Sequence, residues 1–250
     1  MGTPFMFSII FSLICIVSLH LGIYTLYTNP KSATNRIFLA LTTALFIWSF
    51  GFAMAISAAD MPTCLFWRRF AAIGWGIFFS ILLHFVISLT GRDRLLDKWW
   101  KYVLLYLPAA VCLCAFTYIP GLNPQQFNLV QTPFGWVNIP VKNQWDWFYI
   151  AYYVSYTFIS TYFVWKWGRN ETSRNVRKQA NIIIRAFLVT LVMGAFTESV
   201  VNNVFTVKIP QMAPIIMMLP VMAVGYAMQM DLWIQGEILR ILCCSANRSG

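Results

Sequence analysis

Apolar side chains in this chain come in long runs, and polar residues gather in short breaks between them. Seven runs stand out: Phe5–Tyr27, Ile37–Ser57, Phe66–Thr90, Lys101–Ile119, Asp146–Lys166, Ala180–Asn203 and Met212–Met230. Each is close to the roughly 20 residues that carry a helix across a bilayer. Lipid offers backbone amides no partner, so all seven are predicted as helices. Turn formers mark the breaks, as in Asn29-Pro30-Lys31-Ser32 after the first run and Gly91-Arg92-Asp93-Arg94 after the third. The expected fold is an all-α membrane protein, a seven-transmembrane helix bundle. It occupies residues 1–230, followed by a short cytoplasmic coupling helix and tail over 231–250, with Leu232, Leu239 and Leu242 on one apolar stripe.

Composition agrees with this pattern. Of 250 residues 59% are hydrophobic and only 10% charged, whereas soluble domains carry about a quarter charged residues. The first run lacks a basic leader and a small-residue cleavage site, so it is read as a retained helix and not a signal peptide.

The net charge of +10 takes its meaning from placement. Fourteen of the 18 Lys and Arg residues fall in the odd-numbered connections, their flanks and the tail, among them Lys31, Arg92, Lys98, Arg169, Arg177 and Arg240. Arg68, Arg69, Lys142 and Lys208 lie on the other side. Basic residues are retained on the cytoplasmic face, which places the N-terminus outside and the C-terminus in the cytoplasm. The basic excess is then topology plus attraction to anionic lipid, and a nucleic-acid partner loses its support.

Ionisable groups inside a span are the first candidates for function. Glu198 is the clear case, ~27 Å along the sixth run when counted from Ala180 at ~1.5 Å per residue. Asn202 lies one turn further on the same face. Together they form the polar end of a cavity open to the outside, or Glu198 forms a structural ion pair with Arg68 or Arg69. Both readings stand on the residues. Trp48 and Trp75 lie deeper than the tryptophans at the span ends and, with Tyr152, Tyr153 and Tyr156, are candidates to line an apolar pocket. Gly74 and Gly76 allow close helix approach, and Pro108, Pro214 and Pro220 can bend the fourth and seventh helices. His20 and His84 sit at similar depth, which would suit a proton sensor only if they met.

Chemistry by the chain itself finds little support. Cys112 and Cys114 have no second ligand pair for a metal, the seventh run holds no lysine for a Schiff base, and no phosphate-binding loop or nucleophile elbow is present. No cofactor is expected, and these residues are not expected to form an enzyme.

The loop from Phe127 to Trp136, with Trp145-Asp146-Trp147-Phe148 and Trp165-Lys166-Trp167-Gly168 after it, resembles the seven-helix N-terminal sensor region of bacterial histidine kinases. Asn29-Pro30 with Asn35-Arg36, Phe66-Trp67-Arg68-Arg69, His84-Phe85 leading to Thr90-Gly91, and Gln211 to Pro214 extend the likeness over about residues 5 to 240. The resemblance implies an input module that passes an extracellular or membrane signal, a small molecule or peptide, to a cytoplasmic histidine kinase or diguanylate cyclase domain. It also implies a homodimer, and it puts an acidic site near the outer end of the sixth helix, where Glu198 falls. Val200-Val201-Asn202 stands where relatives often have a proline. No histidine follows His84, so the phospho-accepting histidine and the output domain are expected outside these residues. The chain reads either as a truncated piece or as a stand-alone receptor. The other functional class compatible with the residues is a small-solute transporter or channel with Glu198 in its path.

Overall fold

A computed structural model describes residues 2–117, 119, 121–195, 208 and 210–246, and side chains in that set except those of 195 and 230–246. Among the described residues the chain forms seven α-helices: α1 (Thr3–Thr28), α2 (Ala33–Ile56), α3 (Met61–Leu89), α4 (Trp99–Phe116), α5 (Gln144–Asn170), α6 (Arg174–Ala195) and α7 (Ala213–Ala246). The helices fall on the seven predicted runs. Four of them, α1 to α4, are long and apolar enough to cross a membrane by length and composition. The others fall short for reasons visible in the residues. Tyrosines, threonines and serines dilute α5, Arg174, Arg177, Lys178 and Arg185 occupy α6, and the apolar part of α7 spans Ala213–Gln229.

Capping side chains set several helix starts. Ser32 accepts the Asn35 N–H at α2, Asp60 accepts the Thr63 N–H at 2.8 Å at α3, and Asn143 accepts from Trp145 and Asp146 at α5. The Thr63 N–H also holds the Asp60 carboxyl below the usual carboxylate range. At the α1–α2 turn the Asn35 side chain donates to the carbonyl of Thr25 at 2.7 Å, which gives the Asn29 to Arg36 segment a structural role.

Helices α1, α2, α3, α5, α6 and α7 pack in sequence into a closed ring, α7 returning onto α1 and α2, while α4 leans on the outside of α3. The most enclosed helix is α3. It meets α2 at very short range, because a Cβ on Gly74 would come within 2.5 Å of the Ala44 carbonyl oxygen and the Trp48 amide, and one on Gly51 within 2.8 Å of the Ala71 backbone. Gly74 thus serves the close approach expected of it. Gly76 faces only ordinary neighbours near Leu113. Phe11, Phe38, Phe78, Phe79 and Phe85 fill the interior of the ring.

The two bends expected of prolines differ. Pro108 lies inside α4 and Pro220 inside α7, but Pro214 occupies the first turn of α7, where its missing N–H costs nothing. It starts that helix and does not bend it. At Pro108 the ring frees carbonyls of the preceding turn, and neighbouring helices satisfy them. The Tyr156 hydroxyl donates to the Leu105 carbonyl at 3.0 Å, with that of Leu104 at 3.4 Å, and Ser80 Oγ donates to Leu105 at 2.8 Å. Having given its proton to Leu105, Ser80 Oγ accepts from the Tyr152 hydroxyl at 2.7 Å, which in turn accepts the Ser80 N–H at 2.8 Å. This network clamps α3, α4 and α5 together. Tyr152 and Tyr156 therefore belong to a helix clamp, a correction to their expected place around a pocket.

One element departs from an all-α reading. Residues Asn128–Thr132 (β1) and Gly135–Ile139 (β2) form an antiparallel hairpin closed by Pro133 and Phe134. Gly135 adopts φ 101°, and a side chain there would collide with the Ile56 carbonyl, so only glycine fits the turn. The hairpin lies across one end of the bundle. Trp136 Nε1 donates to the Ala58 carbonyl at 2.9 Å, Thr3 Oγ1 donates to that of Pro133 at 2.9 Å, and Phe134 packs edge-on against Phe7. A hydropathy scan passes over so short a strand pair, although Val130, Val137 and Ile139 flanking a Pro-Phe-Gly turn carry its signal.

The opposite end gathers the basic connections. Thr34 and Ser88 hydroxyls meet at 2.9 Å, Arg92 covers the ring of Phe163, and Arg169 covers that of Trp165.

Candidate functional site

Beneath the hairpin the bundle opens into a cavity of about 120 Å³. Its polar wall comes from different elements: Arg68 on α3, Gln126 before β1, Asn138 on β2, Asp146 on α5 and Gln211 before α7. Trp75, Phe116, Tyr149 and Phe52 supply the apolar wall.

Arg68 is the centre of this arrangement. It is 2% exposed, and its guanidinium lies 4.3 Å over the Phe52 ring. Nη1 donates to Gln211 Oε1 at 2.7 Å and Nη2 to the Trp136 carbonyl at 3.1 Å, so Arg68 ties α3 to both the hairpin and the entry of α7. Its Nε is buried without a hydrogen-bond partner. Among the described residues the only ion pair is Lys101 with Asp97 at the far end of the bundle, so no described carboxylate neutralises Arg68. Arg69 points elsewhere, its Nε donating to Gln126 Oε1 at 2.9 Å. The Gln126 amide is fixed from the other side by the carbonyls of Ala115 and Thr117. Asp146 is engaged at its helix start, where Oδ2 accepts the Lys142 N–H at 2.7 Å.

A second, apolar cavity of about 60 Å³ lies deeper, lined by Tyr153, Thr157, Phe187, Thr190, Ile216 and Pro220 among others. Trp48, Tyr149 and Ala213 line both cavities. The aromatic chain runs from Trp75 to Tyr149 at 4.5 Å between ring centroids and on to Tyr153 at 5.4 Å. Trp48 Nε1, like Arg68 Nε, is buried without a hydrogen-bond partner.

The expected site residues thus divide. Trp75 and Arg68 meet in the hairpin-end cavity, and Tyr153 lines the deeper one, joined to Trp75 through Tyr149. Glu198 and Asn202 lie outside the described residues, and with them the expected pairing of Glu198 with Arg68 or Arg69. His20 stacks on Tyr24 within α1, whereas His84 Nδ1 meets the Tyr106 hydroxyl at 2.9 Å, so each histidine has its own aromatic partner. Cys15, Cys64 and Cys112 are buried free thiols, and no group of metal-ligating side chains gathers among the described residues.

Sequence reading passed over Gln126, Asn138, Tyr149 and Gln211. The amides carry no charge to draw attention, and two of them stand in or beside segments noted only for their resemblance: Gln126 precedes Phe127, and Gln211 opens the run to Pro214. Their convergence on one arginine is a tertiary fact.

No curated protein sequence matches the chain. The family model described as the N-terminal 7TM region of histidine kinase matches residues 10–231, which takes in every helix described above and the hairpin cavity. The chain therefore belongs to the family of N-terminal seven-transmembrane regions of histidine kinases.

Proposed function

We propose that this chain is the membrane input module of a bacterial signal-transduction protein, in which a signal reaching the hairpin end is passed to a cytoplasmic histidine kinase or diguanylate cyclase domain. All seven helices span the bilayer in this reading, with residues 1–230 as the sensor bundle and 231–250 as the link to the output domain. The hairpin and the N-terminus face outward, and the basic end, with the C-terminus, faces the cytoplasm. The bundle is not itself an enzyme, and the assembled protein works as a homodimer. The observation that carries the reading is the hairpin-end cavity with a buried arginine, within a chain of the histidine kinase 7TM family.

The cavity suits signalling because its walls come from parts that can shift against one another. Arg68 holds α3 to the hairpin and to the residue before α7, and α7 is continuous from Ala213 to Ala246. A ligand that binds one arrangement of these parts better than another changes the population of both, and α7 carries the difference to the far end. Glu198 and Asn202 complete the polar rim in this proposal, with Trp75 and Tyr153 along the apolar wall.

Substitution of Glu198 by Gln tests it. Membrane insertion should be retained while the output of the full-length protein responds more weakly to its signal, because an ionisable group within a span is costly to keep without a role. An unchanged dose-response would remove Glu198 from the site. Loss of folding would instead favour a structural pair with Arg68 or Arg69.

A further inference from the structure

The hairpin-end cavity has an excess of donors. Arg68 is 2% exposed, carries a full positive charge, faces no described carboxylate and leaves Nε without a partner. Trp48 Nε1 on the same wall is buried and likewise without an acceptor. Buried donors are normally satisfied, and a buried charge without a counter-ion is costlier than a neutral orphan. The acceptors on the wall are already engaged: Gln211 Oε1 by Arg68, Gln126 Oε1 by Arg69 and Asp146 Oδ2 by the Lys142 amide. The remaining surface is aromatic, with Trp75, Phe116 and Tyr149 in edge contact at 4.5 to 6.4 Å.

We infer that this cavity binds a small molecule bearing a carboxylate on an apolar, planar body, the carboxylate taking the free donors of Arg68 and Trp48 and the body lying against Trp75, Phe116 and Tyr149. A carboxylate offers two acceptor oxygens and the missing negative charge, and an arginine fork matches its geometry. A phosphate would call for more donors than one arginine and an indole provide. The inference rests on the reading of this cavity as the signal-binding site and names the class of signal.

The test is calorimetric titration of the full chain in lipid nanodiscs with benzoate, phenylacetate and indole-3-acetate, each against its primary amide, and with inorganic phosphate. At least one acid should bind about tenfold or more tightly than its amide, since a charge-assisted contact is lost in the amide. Arg68→Met should bind acid and amide alike. Acids binding no more tightly than amides in the unmodified chain would overturn the inference whatever Arg68→Met does, so a misfolded variant leaves the test intact. Phosphate binding as tightly as the acids would overturn it too, by removing the apolar body from recognition. Output of the full-length protein separates the two layers. Acid binding that leaves kinase or cyclase output unchanged overturns the input reading and keeps the ligand class. Output that responds equally to acid and amide overturns the class and keeps the input reading.

Discussion

Helix α3 carries two buried polar centres, Arg68 near the hairpin and Ser80 three turns further on, and they are built in opposite ways. Around Ser80 every proton has a destination. Its hydroxyl and amide, with the hydroxyls of Tyr152 and Tyr156, absorb the carbonyl left over at the Pro108 bend. Around Arg68 donors outnumber acceptors, and the arginine and the indole of Trp48 each keep an N–H unused. A saturated polar network rigidifies what it joins. An unsaturated one beside a cavity is stable only at a cost, and that cost is recovered when something else supplies the acceptor. The contrast separates a structural clamp from a binding site on the same helix.

Thermal unfolding of single variants can break or sharpen this contrast. The largest loss of stability is expected from Tyr152→Phe, which strips Ser80 Oγ of its donor and the Ser80 amide of an acceptor in a dry setting, at about 1–3 kcal/mol. Tyr156→Phe should cost less, about 0.5–1.5 kcal/mol, because Leu105 keeps the Ser80 hydroxyl. Arg68→Met should cost least, within about 1 kcal/mol, since replacing a buried ion by an apolar side chain of similar volume is often neutral or better. Water in the cavity can then reach the released Gln211 and Trp136 oxygens. A drop for Arg68→Met as large as that for Tyr152→Phe would mean that Arg68 is part of the scaffold and would erase the distinction.

Much of the fold was legible because its signals are one-dimensional. Runs of apolar residues mark the helices, and the glycine at 74 marks a close crossing. The hairpin was not, since ten residues of modest hydrophobicity between aromatic motifs show no period long enough to stand out. The site was half legible. Arg68 and Trp75 are conspicuous by type, one a charge near a span end and the other an interior indole. Gln126, Asn138 and Gln211 are ordinary surface residues until the hairpin folds over the helix ends and brings them to Arg68. Tyr152 and Tyr156 were legible as buried aromatics but not as donors, because the need they answer is created by a proline on another helix. Proline position carried the same lesson at α7, where one turn of difference makes Pro214 a helix starter.

The most direct test of the account is the output of the full-length protein, reconstituted in liposomes, as a function of signal concentration. Arg68→Met and Trp75→Leu alter the hairpin-end cavity, while Tyr156→Phe alters the clamp and leaves the cavity untouched. Both cavity variants should shift the half-maximal signal concentration by about tenfold or more, the scale of a lost charge-assisted contact or buried aromatic, and Tyr156→Phe should respond as the unmodified protein does. A dose-response left unchanged by both cavity variants would contradict the assignment of signal binding to this site.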